Sequence, residues 1–251
     1  MGKFRAHTCV LVIAILSIAA AGTADAAPVK TNLFGLDGLF MATYGTTLPA
    51  GTLVASASML IVSDDNVDAS TLPVSVTYGA SDRVEVAAAY EVYKSFDNGA
   101  GVDDSGTGDL YLSGKYALQA ETADYPATAL GLRLKIPVAD APLGTEETDF
   151  AIFAAVDTDM RGVRGVLNIE YLLPGGDAEN QVNYVVGVEI PFSDATDFTL
   201  ELMDQPQVGD LFAAGATFDM GSSLNFGVAV GFGLNDPSAD FAAIGKLAFS
   251  F

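Results

Sequence analysis

From Gly51 onward, bulky apolar residues recur at every second position, in strand-length segments separated by clusters of Gly, Pro, Asn, Asp and Ser. Such alternation gives a β-strand one apolar face and one small or polar face. The clearest case is Ser223–Leu234. Leu224, Phe226, Val228, Val230, Phe232 and Leu234 share one face, and the other carries Ser, Asn, Gly and Ala. The same pattern predicts strands over Thr71–Tyr78, Arg83–Tyr93, Asp109–Leu118, Thr128–Ile136 and Asp149–Asp157. It continues over Val163–Tyr171, Val182–Ile190, Phe198–Leu202 and Asp240–Phe251. Thr52–Val62 and Asp210–Phe218 have strand length but no clear phase. The total is about twelve, an even number, as bacterial outer-membrane barrels require.

The links between strands sort by parity. Asp64–Ser70, Ser95–Gly108, Val138–Glu147, Pro174–Asn180, Asp204–Gly209 and Asn235–Ala239 are generally longer and hold much of the acidic charge. The alternate links are mostly tight turns, with Gln119–Pro126 the exception. Long outer loops and short periplasmic turns fit a barrel with both termini in the periplasm, whereas a soluble sandwich has no reason to sort its loops. On the apolar face, Tyr90, Tyr171, Tyr184, Phe232 and Phe241 fall near the loop ends of their strands. Tyr78, Tyr116, Phe198, Phe249 and Phe251 fall near the turn ends. These are the positions of two aromatic girdles. The expected fold is therefore all-β, a single antiparallel up-and-down transmembrane barrel over residues 51–251.

The polar face carries the charge. Arg83, Glu85 and Glu91 share one predicted strand, Asp109 and Lys115 the next, and Arg133 and Lys135 the one after. Asp149 and Asp157 follow, then Arg164 and Glu170, and finally Glu189, Glu201 and Lys246. A lipid-facing Lys or Arg at mid-bilayer would cost about 2–4 kcal/mol, so these residues are expected to line the lumen. That placement alone does not define a solute site. Two readings stay open: a ladder of cross-strand ion pairs filling the interior, or a mixed-charge pore wall that orients a solute. Twelve strands enclose only a modest space, which favours a narrow or partly plugged passage over an open sieve.

Residues 1–26 read as a secretory signal peptide: Lys3 and Arg5, an apolar run from Cys9 to Ala21, then Ala24-Asp25-Ala26. The run is shorter than the ~20 residues a spanning helix needs. The whole chain has 11 basic and 32 acidic side chains. Removing Lys3, Arg5 and Asp25 leaves 9 against 31, a formal charge of −22. The only cysteine (Cys9) and only histidine (His7) leave with the same segment. Disulfides, thiolate chemistry and imidazole-based hydrolysis are then excluded, as are the usual zinc sites. The charge argues against nucleic acid as a partner. No catalytic residue, metal ligand or cofactor site is expected. Asp97–Asp104 and Asp64–Asp68 are oxygen-rich but lack the full spacing and closing Glu of an EF-hand; they are expected to be acidic loops that could meet divalent ions bridging lipopolysaccharide. Residues 27–50 are expected to form a periplasmic lead-in or partial plug, in which Leu33–Met41 could be a short amphipathic helix.

Two resemblances add to this. The ending Leu247-Ala248-Phe249-Ser250-Phe251, with Phe241 on the same face, resembles the C-terminal signal read by the bacterial barrel-assembly machinery. Gly108-Asp109-Leu110-Tyr111-Leu112-Ser113-Gly114-Lys115-Tyr116 and Gly131-Leu132-Arg133-Leu134-Lys135-Ile136-Pro137, with Thr148-Asp149-Phe150 after an acidic loop, resemble a broad family of outer-membrane proteins. That family is described as transporters of the meta-pathway of phenol degradation. Residues 139–144 depart from its Gly-rich loop. The resemblance implies uptake of a small, hydrophobic or aromatic solute across a Gram-negative outer membrane and carries over no binding residues. The leading expectation is a monomeric, non-enzymatic channel in contact with lipid and lipopolysaccharide. The alternative is a structural or adhesive barrel with a blocked lumen, acting through its acidic loops.

Overall fold

The computed structural model describes residues 27–251 except 66, 206, 207 and 237. The expected signal peptide lies outside the described residues. The strands are β1 (Leu53–Asp64), β2 (Val67–Ser81), β3 (Val84–Asp97), β4 (Asp103–Gly106), β5 (Leu110–Gln119), β6 (Ala127–Ile136) and β7 (Asp149–Asp159). After them come β8 (Arg164–Leu173), β9 (Gln181–Ser193), β10 (Thr196–Gln205), β11 (Gly209–Met220), β12 (Leu224–Gly233) and β13 (Phe241–Ser250). All pairings are antiparallel between chain neighbours, except that β3 passes over the short β4 to pair with β5, and β13 returns to β1. With β4 set aside as a four-residue flap on β3, twelve strands close into a ring.

The alternation of the sequence becomes an inside and an outside. Leu132 and Ile169 are half exposed on the outer surface (51% and 50%) although both are large and apolar. Val76, Val86, Leu130 and Ile152 are alike. A continuous apolar belt of this kind is unfavourable in water and favourable in lipid. Tyr78, Tyr116 and Phe198 are exposed toward the end where the tight turns lie, here the turn end. Tyr171, Phe232 and Phe241 are exposed toward the opposite, loop end, where Phe232 packs against Phe241 with ring centroids 6.0 Å apart. On the closing strand, Phe241, Leu247, Phe249 and Phe251 lie on the outward face, while Ala242, Ile244, Lys246, Ala248 and Ser250 turn inward and are buried.

Several local expectations are corrected. The link expected over Asp64–Ser70 is not a long loop, because the two strands continue pairing until Asp64 faces Val67. Residues 103–106, read as loop, pair with Lys94–Asp97. Leu33–Met41 forms turns and bends rather than a helix. β3 also contains a break in alternation. Leu72 and Pro73 of β2 face Tyr93 and Glu91, so Val92 is passed over and bulges. Pro73, which has no N–H to give the ladder, sits at that irregularity, as strand prolines do. The bulge inverts the phase of β3 beyond it: Val92 is buried, and Lys94, opposite the inward-facing Thr71, turns toward the lumen.

Candidate functional site: a two-part barrel interior

The interior divides across the barrel axis. Residues 27–50 enter the turn-end half and pack inside the ring, with Leu33, Phe34, Leu36, Leu39 and Phe40 all buried. Because this segment has almost no regular structure, its buried backbone N–H groups need partners other than a ladder. Carbonyls of the segment's own turns take some, such as the N–H groups of Asn32, Leu33, Leu39 and Tyr44, and the wall supplies partners for others. Glu201 accepts hydrogen bonds from Met41 N (3.2 Å) and Ala42 N (2.9 Å). Glu85 accepts from Asp37 N and Leu48 N, both at 2.9 Å. Asp157 accepts from Gly45 N (2.6 Å) and Thr46 N (3.2 Å). Asn168 accepts from Thr43 N at 2.6 Å and donates to Thr43 O at 2.7 Å, imitating a neighbouring strand.

The wall cations serve the segment's carbonyls. Lys246 donates to Thr31 O and Leu39 O, each at 3.0 Å, and lies 4.6 Å from the centre of the Phe40 ring. Lys115 donates to Tyr44 O at 3.2 Å while ion-paired with Glu85 at 3.3 Å, both side chains fully enclosed. Arg164 pairs with Asp157 at 2.7 Å and stacks over the Tyr44 ring. Two residues of the segment reach outward to the wall in turn: Lys30 to Glu189 and Asp197, and the Tyr44 hydroxyl to Glu189. Burial pushes the Asp37 carboxyl up to about 7, against the pull of the nearby Lys115.

The apolar side of the dock is shaped as closely. Leu39, Phe40 and Met41 join a cluster with Met203, Leu211, Ala213, Ala229 and Ile244. Gly215 leaves room for Phe40: a β-carbon there would stand 2.6 Å from the ring. Beneath β10–β13 this apolar cluster surrounds the two charged groups, Glu201 and Lys246, that hold the segment's backbone.

The loop-end half is open. Against β1–β8 lies a cavity of about 320 Å³. Phe34 of the segment packs on Tyr111 of its wall at 4.5 Å between ring centroids. Its roof is the β6–β7 link, which folds inward so that Ala139 and Leu143 are buried. The walls carry Glu91 with Lys94, Arg133 with Glu170, and Lys135 with Asp149 and Asp109. On the β10–β13 side the same level is filled by Val208, Leu211 and Ala239.

The charged residues expected in the lumen thus separate into two groups. Glu85, Lys115, Asp157, Arg164, Glu189, Glu201 and Lys246 meet at the docked segment, and Glu91, Asp109, Arg133, Lys135, Asp149 and Glu170 surround the cavity. Arg83 is in neither. It sits in the exposed turn between β2 and β3, one residue before β3 begins, which corrects its expected placement. Lys94 was not legible because the Val92 bulge reverses the phase. Lys30, Asp37 and Tyr44 belong to a segment without periodicity, and no sequence signal marks them. Tyr111, Asn168 and Asn183 were discoverable, since they fall on polar faces of clearly alternating strands.

No family model matches the chain, and no curated protein matches it. Solved structures do. The COG4313 outer membrane channel from Pseudomonas putida F1 aligns with a TM-score of 0.64 at 15% identity, over 82% of this chain and 97% of that one. The KdgM porin in complex with disordered oligogalacturonate aligns with a TM-score of 0.55 at 8% identity, over 80% and 99%. Identities this low establish likeness of fold. Taken with the apolar belt and its aromatic rims, they make this chain a closed twelve-stranded β-barrel of the Gram-negative outer membrane.

Proposed function

We propose that the protein is an outer-membrane channel for a small solute, closed at its turn end by residues 27–50. One observation carries this reading. The loop-end cavity ends on a segment held by side-chain hydrogen bonds and ion pairs, not by pairing into the strand ladder. Such contacts can open while the ring stays intact, so the segment acts as a removable closure. The channel nature of the proteins sharing this fold supports the reading. The solute is small and is oriented by the mixed-charge wall, and the protein acts without catalysis. By the same inference the barrel is a monomer, assembled through its closing strand by the barrel-assembly machinery. Its acidic loops lie among lipopolysaccharide head groups.

A second reading has an observation of its own. The polar groups of the segment are extensively satisfied, as in a permanent filling, and this favours a structural or adhesive barrel acting through its loops. Single-channel conductance in planar bilayers separates the two, using refolded protein of residues 27–251 and of residues 51–251. Ion-selective current steps from either form support the channel, and steps from the shorter form alone identify residues 27–50 as the closure. Silence from both, in barrels shown to be folded, refutes an ion-conducting pore and leaves the structural reading.

A further inference from the structure

The loop-end cavity has an uneven balance of hydrogen-bonding groups. Each of its carboxylates already has hydrogen-bond or ion-pair partners within the wall. Glu91 accepts from Thr71 Oγ1 (2.8 Å) and Asp109 N (2.9 Å), and Asp109 from Val138 N (3.0 Å) and Ala139 N (3.1 Å). Asp149 accepts from Gly175 N (3.0 Å) and pairs with Lys135 at 2.5 Å. Glu170 accepts from Arg133 (2.8 Å) and Asn183 (3.3 Å).

The donors are not used up. Among the described residues, the Arg133 guanidinium makes one ion pair, to Glu170, and its Nε is buried without a partner. It is held between the rings of Phe34 and Phe153, 5.4 and 5.9 Å from their centres, and so cannot turn away to find one. Lys94 makes one ion pair, at 3.5 Å, and the Tyr111 hydroxyl has no protein partner among these residues. A buried donor without an acceptor, as the Arg133 Nε is, is rare enough to require an explanation.

Charge narrows the answer. Three cations face four carboxylates around the cavity, and the exposed β4 and β6–β7 link add Asp103, Asp104, Asp140, Glu146 and Glu147. An anion would meet a field of its own sign. A cation would find carboxylate oxygens already engaged. Leu60, Val62, Ala151 and Leu172 make the rest of the lining apolar.

We propose that this cavity binds a neutral organic solute that has an acceptor oxygen, such as a ketone or ester carbonyl, on a short apolar body. The oxygen accepts from one or two of the cavity's donors, Arg133, Tyr111 and Lys94, and the body lies on the apolar wall. A volume of about 320 Å³ suits a molecule at the small end of the ligand range. The proposal rests on the channel reading only in taking the cavity as part of the solute's path, and binding is measured separately from conduction.

The experiment is isothermal titration of folded protein of residues 27–251, in detergent with a protein-free detergent blank, against three six-carbon probes: 2-hexanone, hexanoate and hexylammonium. The expected result is binding of 2-hexanone about tenfold tighter than either ion, the scale of a single hydrogen bond. The double variant Arg133→Met with Glu170→Gln, which leaves the net wall charge unchanged, should lose most of that preference. If that variant does not fold, Tyr111→Phe, which removes a single hydroxyl, should weaken 2-hexanone binding severalfold and leave hexylammonium, which has no acceptor, unaffected. Equal or tighter binding of hexanoate or hexylammonium overturns the proposal. So does a preference that survives these substitutions in folded protein. Either result reads the same whether or not the barrel passes current.

Discussion

The two halves of the lumen are built from the same residue types and put them to different uses. At the turn end, Glu85, Asp157 and Glu201 direct their oxygens at backbone N–H groups of the docked segment. At the loop end, Asp109 and Asp149 direct theirs at backbone N–H groups of the links after their own strands' neighbours, at Val138, Ala139 and Gly175. The first arrangement holds a strip of non-ladder backbone in place, and the second shapes the walls of a cavity. An inward-facing carboxylate in a barrel is therefore no evidence of a solute contact. What matters is where its lone pairs already go.

The sharpest way to break this contrast is to remove a cation from each half. Lys115→Met leaves Glu85 charged and enclosed, and loss of one partner of a buried pair costs about 3–5 kcal/mol. Urea unfolding in detergent, followed by the gel-mobility shift of folded barrels, should show the loss. An unchanged midpoint would mean that the turn-end pair is not sealed from water.

The next effect tests the apolar side of the dock. Gly215→Val would press a side chain into the Phe40 ring, from which even a β-carbon is only 2.6 Å away. Overpacking of this kind costs about 1–3 kcal/mol. Residues 27–50 should then become cleavable by added protease while the strands remain resistant. Continued protection would show that the segment tolerates a shifted Phe40.

A smaller effect comes from acidity. Because the docked Asp37 carboxyl is raised to about 7 from the usual range near 4, docking takes up a proton. Its contribution is complete below the free carboxylate's range and is lost as pH rises through about 7. Protease release of the segment should therefore be faster at pH 8 than at pH 5.5, after correction for the protease's own profile, and Asp37→Asn should flatten the difference. The smallest change is Lys94→Met in the loop-end half. Its ion pair with Glu91 is partly exposed, so stability should shift by no more than about 1 kcal/mol. A loss as large as that of Lys115→Met would erase the distinction between the halves.

Most of the barrel was legible because lipid imposes a strict outward rule: wherever a strand had to show grease on alternate positions, the period of two could be read. The exceptions have physical causes. β11 had no clear phase because its inward Leu211 and Ala213 face an apolar cluster around Phe40 rather than water or charge. In β1 the outward face holds the small Ala55 and Ala57, while Val54 and Leu60 turn inward, so hydrophobicity does not distinguish the faces. At Val92 the bulge breaks the count, and Lys94 was missed in consequence. The candidate site was legible on the wall side alone. Residues 27–50 combine short turns of their own with anchors on Glu85, Asp157, Asn168, Glu201 and Lys246, all distant in sequence, so a local pattern alone does not encode their placement.

Lys246 has a consequence for how the molecule is made. It lies on the last strand, yet it donates to the carbonyls of Thr31 and Leu39 in the segment that precedes the first strand. Until β13 pairs with β1, the socket for the N-terminal segment lacks one of its walls. A ring that closed around an empty interior would strand Lys246, Glu201 and Glu85 without the backbone groups that now satisfy them. Completion of the cylinder and loading of its contents thus assist one another during biogenesis, and a chain without the segment should close its ring more slowly while still reaching the same ladder.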